Sequence, residues 1–201
     1  MTILLTGFDP FGGEAINPAW EAVSRIPDHV NGHRIVKVQV PTEFESAASV
    51  VLEARDACGA DAILCVGQAG GRSAISVERV AINLADGRIP DNAGYQPVDQ
   101  PLFEDGPAAY FSTVPVKAMV AAIQHEGIPA VVSYTAGTYV CNALLYQLLR
   151  RLALRRCMPI PTGFIHIPYA PEQVVNKPSG TPSMAIDTVV QALMAALSVF
   201  G

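Results

Sequence analysis

A cysteine, a histidine and a glutamate are the residues of this chain whose surroundings suggest chemistry. Cys141 stands in the run Val131–Val132–Ser133–Tyr134–Thr135–Ala136–Gly137–Thr138–Tyr139–Val140–Cys141–Asn142. The run begins with β-branched and aromatic residues, breaks at Ala136–Gly137 and resumes rich in leucine. That pattern predicts strand, turn and helix, with Thr138 as N-cap and Cys141 in the first helical turn. Unpaired backbone N–H groups and the helix dipole stabilise negative charge there. A thiol so placed is expected to lose its proton more easily, and the thiolate is the reactive form. The competing reading is a free cysteine packed as a small hydrophobe.

A cysteine nucleophile needs a base, and the base needs an orienting group. Of the four histidines, His29, His33 and His125 fall around turns or a helix end and read as surface residues. His166 lies in Gly163–Phe164–Ile165–His166–Ile167–Pro168–Tyr169, near the carboxyl end of an apolar strand. A polar residue in that setting must find a hydrogen-bond partner, as a satisfied core histidine or as a base. Glu78 lies in Ile75–Ser76–Val77–Glu78–Arg79–Val80–Ala81–Ile82–Asn83. A carboxylate in an apolar strand is costly unless it is paired, solvated at an edge or functional. The nearby loop Gly67–Gln68–Ala69–Gly70–Gly71–Arg72 follows a strand end and could offer backbone groups to a ligand. It lacks the Gly-Lys-Ser/Thr ending of a phosphate loop and does not fit the dinucleotide fingerprint.

The elements that must hold these residues alternate between strand and helix. Strands are predicted at Thr2–Thr6, Arg34–Val40, Ala62–Val66, Ala130–Tyr134 and Gly163–Ile167, with an extended stretch at Ile75–Leu84. Asn17–Pro18 reads as N-cap and first residue of a helix. Thr42 and Glu45 read as a capping box for a helix ending near Cys58. Further helices are predicted at Pro115–Glu126, Tyr139–Arg156 and Pro182–Phe200, and two proline-rich stretches, Gly87–Pro115 and Pro168–Pro182, read as irregular. The alternation argues for an α/β fold, a three-layer α/β/α sandwich around an open, mostly parallel twisted sheet, with its site at strand carboxyl ends.

The 201 residues are read as a single domain spanning 1–201. Half are hydrophobic and 15% are charged, which suits a buried sheet and argues against disorder. The net charge of −5 gives no basic footprint for nucleic acid. The opening Met1–Thr2–Ile3–Leu4–Leu5–Thr6 lacks the basic region and apolar length of a signal peptide, and no run is long enough to span a membrane. A cytoplasmic location is expected. Cys58, Cys65, Cys141 and Cys157 form no C-x-x-C pair and no zinc-type cluster, so no metal and no cofactor are expected. Cys65 reads as core, Cys58 and Cys157 as structural or incidental.

With these residues in view, the chain resembles the pyroglutamyl peptidases, the small cysteine-dependent pyrrolidone-carboxylate peptidases. The likeness covers nearly the whole length. It is carried by Thr6–Gly7–Phe8–Asp9–Pro10–Phe11–Gly12–Gly13 with Asn17–Pro18, by Gly67 to Asn83, by Arg88–Ile89–Pro90–Asp91–Asn92–Ala93–Gly94, by Ser133 to Asn142 and by Gly163 to Tyr169. The resemblance implies a Cys141–His166–Glu78 triad and often a homotetramer. It implies that Cys141 attacks the carbonyl joining N-terminal 5-oxoproline to the next residue, that His166 shuttles the proton, that Glu78 fixes the imidazole, and that water cleaves the thioester. The oxyanion would rest on the Cys141 N–H at the helix start, with Arg88 as a second donor by similarity. For the flat, uncharged lactam, Phe8 and Phe11 could sandwich the ring, Ile89, Tyr139 and Val140 could complete an apolar pocket, and backbone groups near Gln68 could meet the lactam N–H and C=O. Tyr139 fills a position that takes Phe or Tyr.

Other readings remain at this stage. An amidase or amidotransferase-like enzyme also uses Cys, His and Glu on an α/β sheet, and would act on glutamine. A cysteine redox sensor would be oxidised at Cys141 instead of acylated. A nucleoside- or phosphate-binding protein would use the glycine turns but lacks a basic cluster.

Overall fold

The computed structural model describes residues 1–155 and 160–200. Its first strand, β1 (Thr2–Phe8), is buried on both faces from Ile3 onward. A strand of that kind needs a covering layer on each side of its sheet. The chain supplies them in order: α1 (Pro18–Arg25), β2 (His29–Val30), β3 (His33–Val40), α2 (Ala47–Cys58), β4 (Ala62–Gln68), β5 (Ile75–Glu78), β6 (Val80–Ile82), β7 (Ala109–Phe111), α3 (Val116–His125), β8 (Ala130–Ser133), α4 (Val140–Leu154), β9 (Thr162–Ile167) and α5 (Ile186–Leu197). Seven strands form the main sheet in the order β2-β3-β1-β4-β9-β5-β8, while β6 and β7 pair separately.

Alternation along the strands sends their side chains to two cores. Ile3, Leu5, Leu64, Val66, Ile165 and Ile167 pack with Val23, Met119 and Leu193 of α1, α3 and α5. Leu4, Ile63, Cys65 and Phe164 pack on the other face with Val51, Leu145 and Leu148 of α2 and α4. The result is the expected three-layer α/β/α sandwich. The β1–β3, β1–β4, β4–β9 and β5–β8 pairs are parallel. The sheet reverses direction at β5, which runs antiparallel to β9.

Local chemistry explains where elements begin. Asn17 caps α1 through its side-chain oxygen, which accepts the Ala19 N–H at 3.0 Å. The Thr42–Glu45 box does not form. Thr42 is committed to Asp9, donating its N–H at 2.7 Å and its hydroxyl at 2.8 Å to Oδ1, and α2 starts later, at Ala47. Thr138 likewise donates its hydroxyl to the Asp86 carbonyl, so Tyr139 takes the N-cap position of α4. The stretch Ile75–Leu84 divides into β5 and β6 because Ser112 captures the Glu78 carbonyl with its hydroxyl and the Arg79 carbonyl with its N–H. Strand β7, inside a stretch read as irregular, arises from the same contact, and Pro171–Gln173 forms a short 3₁₀ turn in the other. The expected end of α4 at Arg156, and Cys157, lie outside the described residues. Among the described residues no helix is long and apolar enough to cross a membrane.

Candidate active site

The register of the sheet brings the chemistry-bearing residues together. Gly67 of β4 and Ser76 of β5 both face His166 across the ladders, and Glu78 faces Ser133 of β8. Directly opposed residues project from the same face of a sheet. That face is the one covered by α4, whose second residue is Cys141. The thiol settles over Gly67: a Cβ there would stand 3.0 Å from Cys141 Sγ and 2.7 Å from Phe164 Cζ. Gly67 therefore has to be bare for the start of α4 to lie against the sheet beside His166. Gly67→Ala is expected to lower kcat by about tenfold or more, because it would displace the Cys141 sulfur, and small displacements at a reacting centre are costly. Overpacking should also destabilise the fold by about 1–3 kcal/mol. Thermal melts and steady-state assays on the same preparation check both effects.

His166 and Glu78 form the centre of the site. His166 is 3% exposed and Glu78 fully buried, and His166 Nδ1 stands 2.8 Å from Glu78 Oε1. An ionised carboxylate only accepts, so Nδ1 carries the proton and Nε2 keeps its lone pair for a base. Arg72 Nη1 donates to the same Oε1 at 2.6 Å, and Oε2 is buried with no hydrogen-bond partner among the described residues. Burial pushes the Glu78 carboxyl up, but His166, Ser133 and Arg72 together outweigh it, so the pKa falls below the usual carboxylate value. Burial lowers the His166 pKa, and the opposing pull of Glu78 only partly restores it. At neutral pH the pair is a carboxylate and a neutral imidazole.

Cys141 departs from expectation. It lies in the first turn as the pattern predicts, yet its thiol is pushed up to about 12, first by burial, then by the Glu78 charge and by Cys65. The Arg72 charge and the residue's own backbone N–H pull it down by less. The helix terminus loses here because desolvation of the thiolate and a neighbouring anion act in the opposite sense. At rest Cys141 is a neutral thiol, and a nucleophilic role for it would depend on a base.

The proposed pocket residues are distributed around this centre. Phe8 closes β1 as a strand residue, 2% exposed, with its ring 6.3 Å from that of Phe164; it belongs to the core and not to the glycine turn. Val140 is likewise fully buried. Phe11 is half-buried, 6.0 Å from the Tyr139 ring, which in turn meets Phe44 edge-on at 5.3 Å. The Tyr139 hydroxyl donates to the Pro90 carbonyl at 2.9 Å and so ties the N-cap of α4 to the segment carrying Arg88 and Ile89. Ile89 is 40% exposed. Arg88 is exposed and makes no hydrogen bond among the described residues. The Gln68 side chain accepts from Gln173 at 2.9 Å.

Three contributors were missed from sequence. Arg72 was read only as the end of a loop. Buried Asn142 clamps α4 to the Ile82–Leu84 segment, accepting the Ile82 N–H and donating to the Ile82 and Leu84 carbonyls. Asp91 accepts the backbone N–H groups of Phe44, Ala93 and Tyr95, which anchors the Arg88–Gly94 loop. Asn142 could have been found as a polar residue directly beside Cys141, and Asp91 as an acid two residues from Ile89, whereas Arg72 offered no local signal.

A thiol at a helix start, beside a buried imidazole–carboxylate pair on an open α/β sheet, is the arrangement of a cysteine hydrolase. The family model described as "Pyroglutamyl peptidase" matches residues 1–200, and the chain belongs to that family. It is a cysteine peptidase that removes N-terminal pyroglutamate. It is 55% identical to the pyrrolidone-carboxylate peptidase of Lactobacillus johnsonii over 98% of this chain and 91% of that one. The crystal structure of pyroglutamyl peptidase I from Bacillus amyloliquefaciens superposes with a TM-score of 0.93 at 51% identity, covering 98% of this chain and 95% of that one. The pyrrolidone carboxyl peptidase of Thermococcus litoralis gives a TM-score of 0.92 at 36% identity, covering 98% and 92% respectively. These likenesses support neither the amidase nor the redox-sensor reading.

Proposed function

We propose that Cys141, His166 and Glu78 perform the hydrolysis as nucleophile, proton carrier and orienting carboxylate. The observation that carries this is the 2.8 Å contact of His166 with Glu78, with the Cys141 sulfur held over the adjoining Gly67. Sγ bonds to the pyroglutamyl carbonyl carbon as its proton passes to His166 Nε2. The tetrahedral oxyanion is met by the Cys141 N–H, which has no partner within its helix. Arg88, exposed and uncommitted, is the second donor. The C–N bond then breaks, and the imidazolium returns the proton to the departing amine. Water, deprotonated by His166, attacks the thioester. Free pyroglutamate leaves and the thiol regains its proton. Hydrolysis of a chromogenic pyroglutamyl amide, abolished by a thiol alkylator, tests this reading.

Specificity follows from desolvation. Phe11, Tyr139 and Ile89 form the accessible apolar wall, Phe8 and Val140 support it from the core, and backbone groups near Gln68 meet the lactam. An ordinary N-terminus would have to strip water from an ammonium in such a pocket. Phe11→Ala is expected to lower kcat/KM for pyroglutamyl anilides by about ten- to a hundredfold, through lost ring contacts and a misplaced carbonyl. It should create no activity on prolyl or glutamyl anilides, because no carboxylate is gained to meet their charge. Unchanged pyroglutamyl kinetics would remove Phe11 from the wall, and new prolyl activity would show that shape was the filter.

The exposed side chains of Phe111, Tyr134 and Val175 support a homo-oligomer, a tetramer by resemblance, measurable by light scattering after gel filtration. A single domain at work in the cytoplasm, on peptides beginning with pyroglutamate, completes the reading. The acidic balance offers nucleic acid no attractive surface.

A further inference from the structure

The guanidinium of Arg72 reaches three groups that support the site. Nη1 donates to Glu78 Oε1 at 2.6 Å and approaches Ser133 Oγ at 3.4 Å, while Nη2 donates to the Thr135 carbonyl at 2.8 Å. Arg72 comes from the turn after β4, Glu78 ends β5, and Ser133 and Thr135 stand at the end of β8. From Thr135 the chain runs through Ala136, Gly137 and Thr138 to the start of α4 and Cys141. One planar cation thus joins the carboxylate that aims the imidazole to the segment that delivers the thiol. A surface ion pair would be worth little. This one meets a carboxylate with no solvent exposure, and its guanidinium supplies donors in a fixed fork.

We propose that Arg72 is a positioning residue of the peptidase reaction, holding Glu78 ionised and aimed at His166 while fixing the loop that leads into Cys141. The proposal rests on the triad reading. Every charged or titratable group facing the pair acts in the same small space: Arg72 from the turn after β4, Cys65 from β4, Ser133 from β8, Cys141 from α4, with His166 on β9 and Glu78 on β5. The cation favours the carboxylate and the thiolate and disfavours the imidazolium. Removing it leaves His166 facing an anion with no counter-cation, so its proton is held to higher pH.

The test compares Arg72→Met and Arg72→Lys with the parent on a pyroglutamyl anilide across pH. Arg72→Met should lose about ten- to a hundredfold in kcat with little change in KM. Its acid limb in kcat/KM should move to higher pH, and guanidinium chloride at millimolar concentration should restore part of kcat. Arg72→Lys keeps the charge but not the fork, so its acid limb should stay in place while kcat falls. If Arg72→Met does not fold, the Arg72→Lys profile and its kcat decide. An unmoved acid limb in a folded Arg72→Met, or parental kcat in either variant, overturns the proposal. His166→Ala, assayed alongside, separates the two levels: if that variant stays active the triad reading itself falls, whereas Arg72 can fail with the triad intact.

Discussion

Cys141→Ala is expected to abolish peptidase activity while leaving the fold unchanged. The expected loss is about three to six orders of magnitude in kcat, the range seen when a covalent nucleophile is deleted. The fold should tolerate it because Cys141 Sγ sits over a bare glycine and, among the described residues, makes no structural hydrogen bond to another residue. Cys141→Ser should be nearly as inactive, since a hydroxyl in the same place is far harder to deprotonate than a thiol already pushed up to about 12. Cys58→Ala and Cys65→Ala should keep their activity within the effects of altered packing. Turnover by Cys141→Ala near the parental rate would end the nucleophile assignment. Circular dichroism and melting curves on the same samples separate lost chemistry from lost structure.

His166→Ala is expected to cost about two to four orders of magnitude, and Glu78→Gln about tenfold less than that. The order follows from what each atom does. In the proposed mechanism His166 moves the proton of a thiol that the site itself refuses to ionise, so without the imidazole that thiol stays neutral. Glu78 moves no proton. Its Oε1 holds Nδ1–H at 2.8 Å, and a glutamine oxygen can still accept that bond. In the parent enzyme, kcat/KM should fall as His166 gains a proton, and burial places that fall below the pH of an ordinary imidazole. The sign is fixed by the chemistry: the neutral form is the base, so a lowered pKa widens the active range on its acid side. In Glu78→Gln the counter-charge is gone, and the acid limb should move lower still while the maximum rate drops. Full activity in Glu78→Gln with an unshifted profile would make Glu78 a structural residue.

Much of this arrangement was legible in the sequence because its cause was local. The apolar strands read at Thr2–Thr6, Ala62–Val66 and Gly163–Ile167 declare themselves by continuous burial-prone runs, although the first two run on to Phe8 and Gln68, and Asn17–Pro18 names its own helix start. Cys141, His166 and Glu78 stood out as polar or reactive residues in stretches that otherwise favour burial. What stayed hidden depended on distant partners. Thr42 and Thr138 have the side chains of caps, but Asp9 and the Asp86 carbonyl take their hydrogen bonds across the fold. Phe8 sits beside glycine and proline in the chain, yet the pairing of β1 with β3 and β4 carries it into the core. The thiol pKa could not be read from its place in a helix, because Glu78 and the burial that oppose the dipole come from other strands. Arg72 gave no local sign at all: its meaning lies in Glu78 and Thr135, which it reaches only after β5 and β8 have paired.

The place of β9 in the sheet orders events during synthesis. The strand is among the last elements of the chain, yet it lies between β4 and β5, with three strands on one flank beyond β4 and one on the other beyond β5. A nascent chain emerging from its amino end presents β4 and β5 with no bond between them until residues near 162–167 arrive. Pairings of such long sequence separation form late, after the entropy of closing the intervening loop has been overcome. Until then His166 is absent, the base proposed for Cys141 is missing, and the helix that bears the cysteine has an open edge beneath it. The proposed triad is therefore incomplete while the chain is exposed and partly folded. Chemical competence arrives together with the closure of the sheet.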